Sequence, residues 1–154
     1  MRADRLLQLA DFIEKVPDHQ FDLDVVCRTE RGKIRAEKPS IDPACGTAAC
    51  AIGWCPFVFP DLCEYRIDCV DFSVAPIGKG APEWDRTFGQ VAMWLFDLPR
   101  DQATQLFLAG AQKYLPGLTD QDTVYTRTTD HRPHPTNNGR FFAATIRKFV
   151  QHNA

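Results

Sequence analysis

The amino-acid sequence predicts a mainly α protein of the α+β class, folded as one compact domain over residues 1–154. Two patterns lead to this prediction. Apolar residues recur at the three- and four-residue spacing of amphipathic helices in several segments, and they alternate with polar residues in one short region. We therefore expect four to five helices and a small β-hairpin or bulged strand. A length of 154 residues is also typical of a single domain.

The composition is that of an ordinary globular chain. There are 18 basic and 20 acidic residues, and hydrophobic residues make up 44% of the chain, which argues against intrinsic disorder. No apolar run approaches the ~20 residues of a membrane helix, and the N-terminus lacks the core of a secretory leader. We expect a cytoplasmic protein without a membrane partner, whose six cysteines are free thiols.

The first helix is predicted from one apolar stripe, which consists of Leu6, Leu9, Ala10 and Ile13. Pro17 should end this helix. The next residues, 21–26, fit either a strand or a helical turn. The segment 28–43 is charged and contains two prolines, so we expect a loop there.

A second helix is expected to begin at Thr47 and to end at Pro56. Threonine is a favourable N-cap, and proline lacks the N–H group that a continuing helix needs. The segment is rich in small residues, namely Ala48, Ala49, Ala51 and Gly53. Since small residues allow close packing, this helix should lie at the centre of the fold. If Cys50 packs there as a small apolar group, Cys50→Ser should destabilise more than Cys50→Ala.

The later elements follow from the same patterns. The alternation between residues 64 and 75 slips by one position, which fits a bulged strand or a hairpin. Two apolar stripes between residues 83 and 110 predict two helices, with Pro99 in the first turn of the second. A final helix should follow the turn-rich segment 116–139. Its buried side would carry Phe142, Thr145, Ile146, Phe149 and Val150.

Cys50 is the candidate nucleophile. A thiol in the first turn of a helix is expected to have a lowered pKa, because the positive end of the helix dipole favours the thiolate. A general base would also be required, and His131 or His134 could provide it. The helices predicted between residues 83 and 110 do not suit a papain-like fold. We therefore favour a structural thiol and keep a thiol-dependent enzyme as the alternative.

A zinc site is the second alternative. Its ligands would be Cys45, Cys50, His131 and His134, a mixed sulfur and nitrogen set that Zn²⁺ accepts. Nothing in the spacing of these residues enforces such a site. We expect no metal and no other cofactor.

One cluster of positive charge stands out. It consists of Arg28, Arg31, Lys33, Arg35 and Lys38. We expect an exposed loop, with a partner-binding patch as the alternative. A DNA-binding helix-turn-helix between residues 88 and 110 would present a single arginine beside an aspartate. Together with a pI of about 6.1, this makes nucleic acid an unfavourable partner.

The segment Cys45-Gly46-Thr47-x-x-Cys50-x-x-Gly53-Trp54 resembles the core of a family of small proteins from phages, plasmids and bacterial genomes. That family shares a Cys-Gly-Thr-x-x-Cys-x-x-Gly-aromatic motif. The resemblance continues from Phe88 to Phe107, although Phe96-Asp97-Leu98 stands where the relatives have Leu-Gly-Leu. It implies a phage or mobile-element accessory protein inside the bacterial cell, and it transfers no catalytic residues. We therefore expect a non-enzymatic protein that binds, and could inhibit, a host or phage protein.

Overall fold

The described part of the chain contains five α-helices and one β-hairpin. The computed structural model describes residues 1–23, 50–68, 71–84 and 87–153. The elements are α1 (Ala3–Ile13), α2 (Ala51–Val58), β1 (Cys63–Asp68), β2 (Asp71–Pro76), α3 (Phe88–Phe96), α4 (Arg100–Phe107) and α5 (Gly139–Asn153). The predicted mainly α architecture with a small hairpin is confirmed.

The first and last helices pack against each other. The predicted stripe of α1 is completely buried, and the predicted buried side of α5 is buried as well. The contact is closest where α5 begins: a Cβ atom at Gly139 would overlap the backbone carbonyl oxygen of Ile13. Glycine is therefore required at this position by the approach of two backbones.

The bounds predicted for the second helix are wrong. Cys50 is extended (φ −73°, ψ 175°), and α2 begins at the following residue. The Cys50 sulfur accepts a hydrogen bond from the Gly53 N–H at 3.4 Å, so it fills the capping role assigned to Thr47. Pro56 also does not end the helix, which continues to Val58. The last turn closes beyond the proline, through a bond from the Phe59 N–H to the Cys55 carbonyl.

The central position predicted for this helix is confirmed for its described residues. Five consecutive residues of α2 are buried, from Ala51 to Cys55. The helix packs against α1, α3 and both strands. Ala49, the other small residue expected to pack closely, lies outside the described residues.

The segment in which apolar and polar residues alternate, 64–75, lies in an antiparallel hairpin. Cys63 pairs with Pro76 and Asp68 with Asp71 in a regular register. The slip in the alternation thus falls between the two strands, and no bulge interrupts the pairing over the residues described. One face of the hairpin packs on α2 and α3.

Helices α3 and α4 are joined by a tight connection. Asp97 adopts a left-handed conformation (φ 51°) at the end of α3, and its carboxylate pairs with the N-terminal ammonium group at 3.2 Å. Pro99 is the N-cap of α4 rather than a residue of its first turn. A hydrogen bond from the Arg2 N–H to the Phe96 carbonyl also holds the N-terminal residues at the end of α3.

The buried residues form one hydrophobic cluster that joins all five helices and the hairpin. Its aromatic part includes Phe96 stacked on Phe107, with ring centroids 5.4 Å apart. Gln112 is completely buried but satisfied, since its amide donates to the carbonyls of Leu106 and Leu108 and accepts from the Val124 N–H. A single core is what the predicted single domain requires.

Several residues singled out by sequence lie outside the described residues. They are Arg28, Arg31, Lys33, Arg35, Lys38, Cys45, Gly46 and Thr47. The exposed loop, the basic patch and the first half of the cysteine motif therefore stay predictions. Among the residues that are described, no helix combines the length and the apolar character needed to span a membrane.

Candidate functional site

Cys50 lies at the start of α2 and is only 7% exposed. Burial raises the pKa of its thiol to about 11, because the thiolate would lose its hydration. The hydrogen bond from the Gly53 N–H acts in the opposite direction but is the smaller effect. The lowered pKa expected for this thiol is therefore wrong, and Cys50 is protonated at neutral pH.

Two further thiols share this environment. Burial raises the pKa of Cys55, and it raises the pKa of Cys63 to about 12. Each thiol donates to a backbone carbonyl four residues earlier, Cys55 to Ala51 and Cys63 to Phe59. These cysteines are packing residues with locally satisfied S–H groups.

The two candidate histidines lie in the turn-rich segment before α5. His131 is exposed and has a positive φ of 62°. His134 is half-buried: its Nδ1 lies 2.8 Å from the Thr136 hydroxyl, and its ring packs 5.4 Å from that of Tyr125. Within the described ranges, neither imidazole is hydrogen-bonded to Cys50, and no three His, Cys, Asp or Glu side chains gather as a metal site.

A surface groove lies between the C-terminal half of α1, the turn that follows it, and α2. Its volume is about 540 Å³, within the range typical of ligand and peptide sites. The lining residues are Gln8, Asp11, Phe12, Lys15, Val16, Pro17, Gln20, Trp54, Phe57 and Val58. We call this the α1–α2 groove.

Aromatic rings form the base of the α1–α2 groove. The Trp54 ring is completely buried and lies between Phe12, at 5.9 Å, and Phe57, at 5.5 Å. Phe57 is 37% exposed, so an apolar ring faces water beside a buried one. The indole N–H of Trp54 is buried and has no acceptor among the described residues, which is uncommon for a buried tryptophan.

The charged residues near the rim of the groove differ in whether they form ion pairs. Asp11 and Glu14 are both held by Arg147 of α5, with N–O distances of 2.8 and 2.7 Å. The Arg147 guanidinium lowers the pKa of the Glu14 carboxyl, chiefly through these hydrogen bonds. Lys15, by contrast, is exposed, and its ammonium group forms no ion pair in the described part of the chain.

Sequence reasoning found one member of the groove and missed the rest. Trp54 belongs to the cysteine motif, whereas Phe12, Lys15 and Phe57 were not singled out. Two signals were present: Phe12 lies off the buried stripe of α1, and Phe57 follows Trp54 by three residues, on the same face of α2. That these residues meet across two helices depends on tertiary packing.

Comparison of the chain with protein-family models, curated proteins and solved structures finds no match.

Proposed function

We propose that the protein acts by binding another protein, of host or phage origin, in the bacterial cytoplasm. The α1–α2 groove is the proposed contact surface. This role agrees with the phage or mobile-element accessory function that the cysteine motif implies. Inhibition of the partner is the simplest consequence of such binding.

The observation that carries the proposal is the half-exposed Phe57 ring beside Trp54. Large aromatic side chains in concave, partly covered positions dominate the affinity of protein interfaces. The apolar base is surrounded by polar side chains such as Gln8 and Lys15, and this is the usual arrangement of an interface core and its rim. The protonated, buried Cys50 thiol favours binding over thiol chemistry.

The experiment compares two exposed apolar residues. The tagged protein is expressed in bacterial cells as wild type, Phe57→Ser and Leu108→Ser, and proteins that co-purify are quantified by mass spectrometry. Leu108 is 47% exposed, directly after α4 and outside the groove lining, so its variant is the matched control. Circular dichroism checks that all three proteins are folded.

We expect a defined protein to co-purify with the wild type and with Leu108→Ser. Its recovery should fall at least about tenfold with Phe57→Ser, as for a central interface aromatic. Equal recovery with Phe57→Ser, or equal loss with both variants, would contradict the groove as the contact surface.

A further inference from the structure

We infer that the occupant of the α1–α2 groove is an amphipathic helix of the partner, with an acidic side chain that pairs with Lys15. This inference rests on the proposed function and specifies the partner's chemistry. Two observations carry it: the charge left unpaired at the rim and the spacing of the lining residues.

The charge argument concerns Lys15 and its neighbours. Asp11 on α1 and Glu14 directly after that helix are nearby carboxylates, and Arg147 binds both. Lys15 is the rim cation that keeps no ion pair within the described residues. A carboxylate brought by the partner would complement this charge and fix the partner's orientation.

The shape argument concerns the two walls of the groove. On α1 the lining residues are Gln8, Asp11 and Phe12, which recur every three or four positions, and Lys15 lies in the turn directly after the helix. On α2 the lining residues Trp54, Phe57 and Val58 follow the same spacing. Ridges at this spacing accept the ridges of a third helix. From Gln8 to Phe12 the helical part of this wall is roughly 6 Å long, about one helical turn.

The test places a photoreactive benzoylphenylalanine at Gln8, an exposed residue of the groove wall. Cross-linking is done in bacterial cells, and the partner segment is mapped by mass spectrometry. Three substitutions are combined with the probe: Lys15→Glu, Lys15→Arg, and Lys79→Glu as the control for an exposed lysine outside the groove lining. A second probe at Leu108 controls for random capture.

We expect cross-linking to a segment with helical apolar spacing and at least one acidic residue. Lys15→Arg and Lys79→Glu should keep the yield within about twofold, whereas Lys15→Glu should lower it at least about fivefold. Changing the partner's acidic residue to lysine should restore the yield with Lys15→Glu.

Two results separate the failures. If the wild-type probe at Gln8 captures nothing beyond what the Leu108 probe captures, the proposed function itself is wrong. If capture is specific but Lys15→Glu has no effect, or the mapped segment lacks an acidic residue or helical spacing, the acidic-helix inference is overturned while the groove stays the contact surface.

Discussion

At the residue scale, Cys50 is both the N-cap of α2 and a buried residue. Its sulfur accepts the Gly53 N–H, and its thiol is shielded from water. The cap explains why α2 begins at Ala51, directly after Cys50. Burial explains the raised pKa of the thiol. Both roles are structural.

The capping role reverses one expectation from the sequence. We expected Cys50→Ser to be worse than Cys50→Ala, on the assumption that a buried hydroxyl would find no partner. The Gly53 N–H is such a partner, and serine is a strong N-cap. We now predict that Cys50→Ala lowers the free energy of unfolding by about 1 kcal/mol and that Cys50→Ser lowers it less. Urea denaturation of both variants measures the order, and the opposite order would show that the cap contributes little.

The same Cys50 thiol should lower the free energy of unfolding as the pH rises above 9. The pKa of Cys50 is raised from 9.0 to about 11 in the folded protein, so the unfolded chain loses this proton first. The stabilising contribution is complete below pH 9 and is lost as the pH rises towards 11. Between pH 8 and pH 10.5, the free energy of unfolding should fall by roughly 2 kcal/mol less in Cys50→Ala than in wild type. Urea denaturation at pH 8 and at pH 10.5 measures it, and identical losses in the two proteins would show that Cys50 is accessible to water.

At the element scale, the fold depends on how closely α1 and α5 approach. Gly139 packs on the backbone of Ile13, and Arg147, about two turns further along α5, binds Asp11 and Glu14. The first contact is buried and steric, whereas the second is partly exposed and screened by water. The steric contact should therefore matter more for stability.

We predict that Gly139→Ala lowers the free energy of unfolding by about 1–3 kcal/mol or more, because the added methyl group overlaps backbone that cannot move independently. Gly89→Ala is the matched control: it lies in α3, and its Cβ would meet only the Thr104 hydroxyl, at 3.4 Å. Alanine there should be neutral or stabilising. Chemical denaturation compares the two, and equal effects would contradict the close approach of the helices.

At the same scale, the sequence predicts some elements well and others poorly. Helices α1 and α5 are amphipathic, so the spacing of their apolar residues is visible in the sequence and coincides with the buried side of each helix. The start of α2 was misplaced because an unusual sulfur cap replaced a threonine cap. Its end was misplaced because proline removes one hydrogen bond, and tertiary packing on both sides of the helix outweighs that loss.

At the scale of the whole molecule, the groove could not be predicted from the sequence. Phe12 and Trp54 are far apart along the chain and meet only because α1 packs on α2. That Lys15 forms no ion pair within the described residues is also a tertiary property, since Arg147 of α5 binds the neighbouring carboxylates of Asp11 and Glu14. The cysteine motif includes Trp54 of α2, one wall of the α1–α2 groove, but nothing in the motif indicates that a groove forms there.

The central claim is that the partner occupies the α1–α2 groove, and the indole N–H signals of ¹⁵N-labelled protein test it most directly. Trp54 lines the groove and its N–H has no acceptor among the described residues, whereas the Trp94 N–H donates to the Leu62 carbonyl at 3.0 Å. Trp84→Phe and Trp94→Phe assign the three signals. On titration with a synthetic peptide of the cross-linked partner segment, we predict a saturable shift of the Trp54 signal and an unchanged Trp94 signal. A bound peptide that shifts Trp94 or Trp84 and leaves Trp54 unchanged would contradict the claim.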